Sequence, residues 1–293
     1  MDQRKRAVAA GITGNVIFGF SFLASKIALN YAAPMELLSI RFGVSMLILL
    51  LLISLKIMRL DLKGKNILPL IALGLCQPVL YFCFENYGLM YSTSSFSGIM
   101  IGMAPVASTV TAAIFLKEKV SRRSMAGIAV CVVGVVITSL SEKSEGSVTA
   151  VGFLCLCGAI MMAMIYSLLN KRSSGEFSPF ERTFVMFTVG FIAFFAVNLF
   201  QLRGDLPARY ANLLTEGNFM MPVLYLAVIS SLVAFFCINY SISYLPVQQA
   251  VSYTNLTPII SVIAGVVILS EPFSPGHLVG MVLVLVGICQ VNV

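Results

Sequence analysis

The chain has 293 residues, of which 59% are hydrophobic and only 11% charged, whereas soluble domains carry about 25% charged and about 45–50% apolar residues. Too few polar residues remain to coat a core of this size, so the composition excludes a water-soluble globule and fits a chain solvated by lipid. The formal charge of +7 does not point to nucleic acid, because the basic residues stand in short clusters between apolar runs, as in the loops of membrane proteins.

A bilayer core takes about 20 apolar residues per helix. Stretches of that kind run over residues 7–29, 35–56, 67–90, 94–116, 123–140, 149–170, 179–200, 219–243, 247–269 and 274–292. The first follows "MDQRKR" like a signal peptide, but it continues through Lys26 to about Asn30, past the about 7–15 residues of a signal sequence, and is expected to be an uncleaved span. Lys26 in the first span and Arg41 in the second are charges inside the membrane. The third contains "CQPVLYFCFENY", with Gln77, Tyr81 and Glu85 at i, i+4 and i+8. The fourth starts with Ser94, Ser95 and Ser97 and carries Gly98, Gly102 and Pro105; the eighth offers Ser230, Ser231 and Asn239. In the ninth, "QQAVSYTNLTPIIS" crowds hydrogen-bonding side chains before Pro258, with Gln248, Ser252 and Asn255 at helical spacing beside Tyr253. His277 opens the tenth span and is expected at the surface. Only short loops remain, the longest over about 201–218.

With the N-terminus placed in the cytosol, the cytosolic segments hold Arg4, Lys5, Arg6, Lys56, Arg59, Lys63, Lys65, Lys117, Lys119, Arg122, Arg123, Lys171, Arg172 and Arg182. The outer loops hold Lys143, Arg203 and Arg209. Fourteen against three orients the chain with both termini cytosolic, as a multi-pass protein of the plasma membrane. A shift of 153 residues lays residues 86–134 on 239–287 without a gap: Asn86 on Asn239, Pro105 on Pro258, Glu118 on Glu271, Gly127 on Gly280 and Gly134 on Gly287. "PMELL" (34–38) likewise resembles "PFERT" (179–183). Each copy has five spans. Five is odd, so the second copy enters the membrane upside down. The loops agree, since "KEKVSRR" is basic and its counterpart "SEPFSPGH" has no Lys or Arg. The expected fold is therefore an all-α integral membrane protein of ten transmembrane helices, in two inverted five-helix repeats (1–143 and 144–293) around a central cavity.

These residues resemble the EamA-type branch of the drug/metabolite transporter superfamily over essentially the whole chain. That family repeats a five-helix unit with a proline, then a glutamate after an apolar run, then two spaced glycines. Here they are Pro105, Glu118, Gly127 and Gly134, and again Pro258, Glu271, Gly280 and Gly287. "FGFSFLASK" keeps the Gly19 and Lys26 of the family's first helix, with Phe18 where a Trp is common, and Arg41 matches an arginine early in the second. The resemblance implies small-molecule transport, often export of amino acids or other metabolites.

Polar groups facing lipid go unsatisfied at several kcal/mol each, so they face helices or water. Gln77, Tyr81, Glu85, Ser97, Asn239, Gln248, Ser252, Tyr253 and Asn255 are therefore expected along a substrate path, with Pro105 and Pro258 as helix kinks. The alternative for the serines, threonines and asparagines is that they hold helices together. Lys26 and Arg41 either serve the path or join helices, and Glu118 and Glu271, at helix ends, read as structural. Glu85, the carboxylate placed inside a span, is the candidate proton carrier. Seven cysteines (Cys76, Cys83, Cys131, Cys155, Cys157, Cys237 and Cys289) share no metal or disulfide spacing and read as small buried hydrophobes. No cofactor or metal is expected, and no "GxxxxGK[ST]" motif is present for ATP use. The sequence thus points to a secondary transporter, expected to export a small metabolite by alternating access, as a monomer or homodimer partnered only by its substrate and the bilayer. The runner-up is an integral membrane enzyme acting on lipid or a small amphiphile, which would need converging catalytic side chains.

Overall fold

The computed structural model describes residues 3–115, 121–144, 148–245 and 253–291. Among them, seven helices are long and apolar enough to cross a membrane: Gln3–Ala28, Pro34–Ser54, Leu68–Met90, Arg122–Ser141, Ala150–Asn170, Pro179–Thr215 and Gly217–Tyr244. Shorter apolar helices at Ser94–Ala107, Tyr253–Leu269 and Pro275–Val291 complete the ten. They fall on the ten expected segments and are numbered first to tenth in chain order. After the seventh helix proper (Pro179–Leu202), the chain turns at Arg203 (φ 45°) into a connecting helix, Leu206–Thr215.

Local chemistry sets the breaks. The fourth helix stops at Gly102 and restarts at Ala104, so Pro105 sits in the first turn of the resumed helix, where its missing N–H leaves no bond unmade. In the ninth, a tight turn over Tyr253–Asn255 precedes the helix Leu256–Leu269, and Pro258 again occupies the first turn. In the third, Pro78 pushes Gln77 out of the helical region (φ −146°, ψ 118°).

Each helix finds a leading partner in the other repeat. Without a hydrophobic force between helices in lipid, close backbone approach and hydrogen bonds hold them together. A Cβ on Gly14 would lie 2.8 Å from Ile238 and one on Gly19 2.5 Å from Ile260, so the first helix nests against the eighth and ninth. Gly88 and Gly158 bring the third and sixth together in the same way, against Leu156 and Phe84. Gly102 faces Pro258 where the fourth crosses the ninth, and Gly43 faces Phe191 where the second crosses the seventh. The fifth and tenth run antiparallel: Gly127 meets the Gly287 carbonyl and Gly134 that of Gly280, each at 2.7 Å from an added Cβ. Gly127 and Gly280, like Gly134 and Gly287, are equivalent positions 153 residues apart. The contact therefore maps onto itself, as a two-fold axis in the membrane plane requires. Cys131 and Val284, another equivalent pair, lie between them, and the Cys131 thiol donates to the Val284 carbonyl at 3.3 Å.

The same symmetry appears at the helix ends. Glu36 accepts the Ala33 N–H at the start of the second helix and pairs with Arg209 of the connecting helix through both oxygens, at 2.8 and 3.0 Å. Glu181 accepts the Ser178 N–H at the start of the seventh and pairs with Lys65, in the loop between the second and third helices, at 3.0 Å. One latch stands on each face of the bundle. Glu271 takes four bonds from the N–H and hydroxyl groups of Ser94 and Ser95, and so caps the fourth helix from the other repeat. Lys26 donates to the Leu89 carbonyl at 2.8 Å and to that of Ser92, which makes it a cap for the end of the third helix. Two expectations are corrected. His277 is buried, 2% exposed, because its Nδ1 accepts the Ser274 N–H at 2.9 Å and so turns the ring inward. Of the cysteines only Cys131 is fully buried and Cys289 is exposed, since an apolar run in lipid need not face protein.

Candidate functional site

The described residues expected along a substrate path fall in several surroundings. Tyr81 and Glu85 stay together one helical turn apart, and the Tyr81 hydroxyl donates to Glu85 Oε1 at 3.2 Å. Gln77 is buried too, but its extended backbone breaks the helical phase below Tyr81, so the i, i+4, i+8 face expected from spacing ends at Tyr81. Ser97 is buried in a hydroxyl pair with Ser92 at 2.8 Å, at the start of the fourth helix. Tyr253 packs against Gly11 of the first helix. Asn255 points its amide nitrogen at Cys289 of the tenth helix, 3.8 Å away. Gln248, Ser252 and Glu118 lie outside the described residues. An apolar pocket opens between the second, seventh and eighth helices, lined by Leu49, Leu52, Phe180, Val233 and Phe236 among others. Among the described residues, none of those expected on the path lines it.

Two buried clusters are each built around an arginine; the first joins the halves and the second lies within the second repeat. In the first, Arg41 is 1% exposed. Its Nε donates to the Ser231 hydroxyl at 2.9 Å and an Nη to that of Ser230 at 3.4 Å, both on the eighth helix. Its guanidinium lies over the Phe82 ring, 4.4 Å from the centroid, a favourable cation–π position. Glu85, 6% exposed, lies within electrostatic reach without a direct ion pair. Ser45, one turn below Arg41, donates to the Ala227 carbonyl at 2.9 Å and ties the second helix to the eighth. The set offers a positive group, a carboxylate and three hydroxyls in one place, the equipment to hold a small molecule bearing both an anionic and a cationic group.

The second cluster lies near the opposite ends of the spans. Arg182, 3% exposed, donates through one Nη to the Asn170 carbonyl at 3.1 Å and to the Asn170 side-chain oxygen. The Asn170 amide nitrogen donates to Asn239 Oδ1 at 3.3 Å and to the Tyr166 hydroxyl at 3.2 Å. Of these, sequence reasoning singled out only Asn239. It counted Arg182 with the loop cations, although the residue falls inside the 179–200 segment, three places after Pro179. That position was the available signal.

Both repeats match the EamA-like transporter family, over residues 5–140 and 150–293. An uncharacterized transporter, YcxC, of Bacillus subtilis is 29% identical, covering 99% of this chain and 94% of its own. A probable terminal-alkyne amino-acid exporter of Streptantibioticus cattleyicolor is 26% identical over 77% of this chain and 73% of its own. A probable amino-acid metabolite efflux pump of Salmonella typhimurium is 21% identical over 93% and 90%. A solved structure superposes with a TM-score of 0.68 at 16% identity, covering 97% of this chain and 95% of its own, and shares the fold. On the match of both halves, the chain belongs to the EamA-like transporter family.

Proposed function

We propose that the protein is a secondary exporter of a small polar metabolite, an amino acid or a related compound, working by alternating access without ATP hydrolysis. The observation that carries this reading is the Arg41–Glu85 cluster: two opposite charges of the first repeat are kept inside the membrane against serines of the second, where a purely structural contact would be cheaper with hydroxyls alone. The relatives named as an amino-acid exporter and an amino-acid metabolite efflux pump support the substrate class. In this reading the chain sits in the plasma membrane with both termini cytosolic, its halves divide near residues 143 and 144, and it works as a monomer or homodimer. Glu271 then ties the outer ends of the fourth and ninth helices together.

Purified protein in liposomes, loaded with a panel of amino acids and related metabolites, should release at least one of them. Arg41→Lys and Glu85→Gln should each lower that flux by at least tenfold while the protein still folds. Wild-type flux in both variants would remove the cluster from the path. Cysteines placed at 121–124 should be labelled only from the cytosolic side; labelling from outside intact cells would reverse the orientation.

A further inference from the structure

The Arg182 cluster has a direction. Arginine is a donor only, so the Asn170 side chain must turn its oxygen toward Arg182 and its NH₂ away. That NH₂ donates to Asn239 Oδ1, which turns the Asn239 NH₂ outward again. The chain of bonds therefore ends in donors. Arg182 Nε and Asn239 Nδ2 are both buried and have no acceptor. The Tyr166 hydroxyl accepts from Asn170, which leaves its own hydrogen to donate. Among the described residues, Arg182 forms no ion pair. Glu181 beside it is committed to Lys65 and to the Ser178 N–H. A buried cation with surplus donors and no counter-charge is a costly arrangement unless something anionic completes it.

We propose that Arg182, Asn239 and Tyr166 form an oxyanion site that takes the carboxylate of a small molecule, separate from the Arg41 cluster. A carboxylate has the planar pair of oxygens that a guanidinium fork accepts, with lone pairs left for the asparagine amide and the tyrosine hydroxyl. The site lies at the end of the bundle that faces the cytosol in the proposed orientation, and so would receive the cargo before it reaches Arg41. The identification of the ligand as cargo rests on the transport reading; the existence of the site does not.

The test uses the full chain purified in detergent, with acetate, benzoate and pyruvate as probes at constant ionic strength, and acetamide and benzamide as uncharged controls. Wild type should gain roughly 3 °C in melting temperature at saturating carboxylate and nothing from the amides. Arg182→Met should show no gain. If that variant does not fold, Asn239→Leu and Tyr166→Phe each remove one donor and should at least halve the gain. No response of the wild type to any carboxylate, or an equal response in the variants, overturns the proposal. An Arg182-dependent response without flux of any compound in liposomes would leave the site standing and defeat the transport reading instead.

Discussion

The two buried arginines sit in nearly equal seclusion but in opposite electrostatic circumstances. Arg41 has its account closed within the protein: two serine hydroxyls, an aromatic face and Glu85 within reach. Among the described residues, Arg182 has only the carbonyl and side-chain oxygen of Asn170, and it points an unused donor into the interior. Burial alone therefore does not tell what a membrane arginine is for. The counter-charge does: where the protein supplies it, removing the arginine strands the partner, and where it does not, spare donors remain, as in the site proposed above.

The sharpest way to break this contrast is Arg41→Met. It leaves Glu85 buried without its compensating charge and should cost roughly 3–5 kcal/mol in detergent unfolding. The double variant Arg41→Met/Glu85→Gln should recover at least half of that loss, which a double-mutant cycle measures; no recovery would mean that the two charges are uncoupled. Arg182→Met should cost less, about 1–2 kcal/mol, the worth of its bonds to Asn170, because no carboxylate is stranded. A loss as large as that of Arg41→Met would show a counter-charge for Arg182 and erase the distinction. Smallest of all, Tyr81→Phe deletes one hydrogen bond to Glu85 and should cost about 0.5–1 kcal/mol by the same measurement.

Much of the architecture was readable in the sequence because lipid imposes one demand per helix, length and apolarity, and the duplication repeats every signal twice. The 153-residue shift marked the glycines of the fifth and tenth helices as equivalent positions, but not that they meet. The site was less legible, because a polar residue in a span has several neighbours and spacing names only its own face. Spacing put Gln77 with Glu85, but Pro78 re-phased the helix between them. Charge counting placed Arg182 in a loop, because the positive-inside rule tallies cations near span ends without asking whether they face water. Lys26, read as a membrane charge of undecided role, caps the third helix, a use that depends on a partner 63 residues away.

The exchange of partners between the halves also sets a timetable for assembly. Gly19 of the first helix is shaped for Ile260 of the ninth. At about 5–20 residues per second of synthesis, the first helix waits roughly 12–50 s for that surface to exist. Until then the early helices sit in the bilayer with their glycine-lined faces covered by lipid or by whatever insertion machinery holds them. The polar groups on those faces, Asn15 and Arg41 among them, lack their final partners for the same interval. Neither half can finish folding first, so the chain is committed to a late, nearly simultaneous closure. Two fragments cut in the loop between the fifth and sixth helices and made together should shorten that wait and still reach the same end.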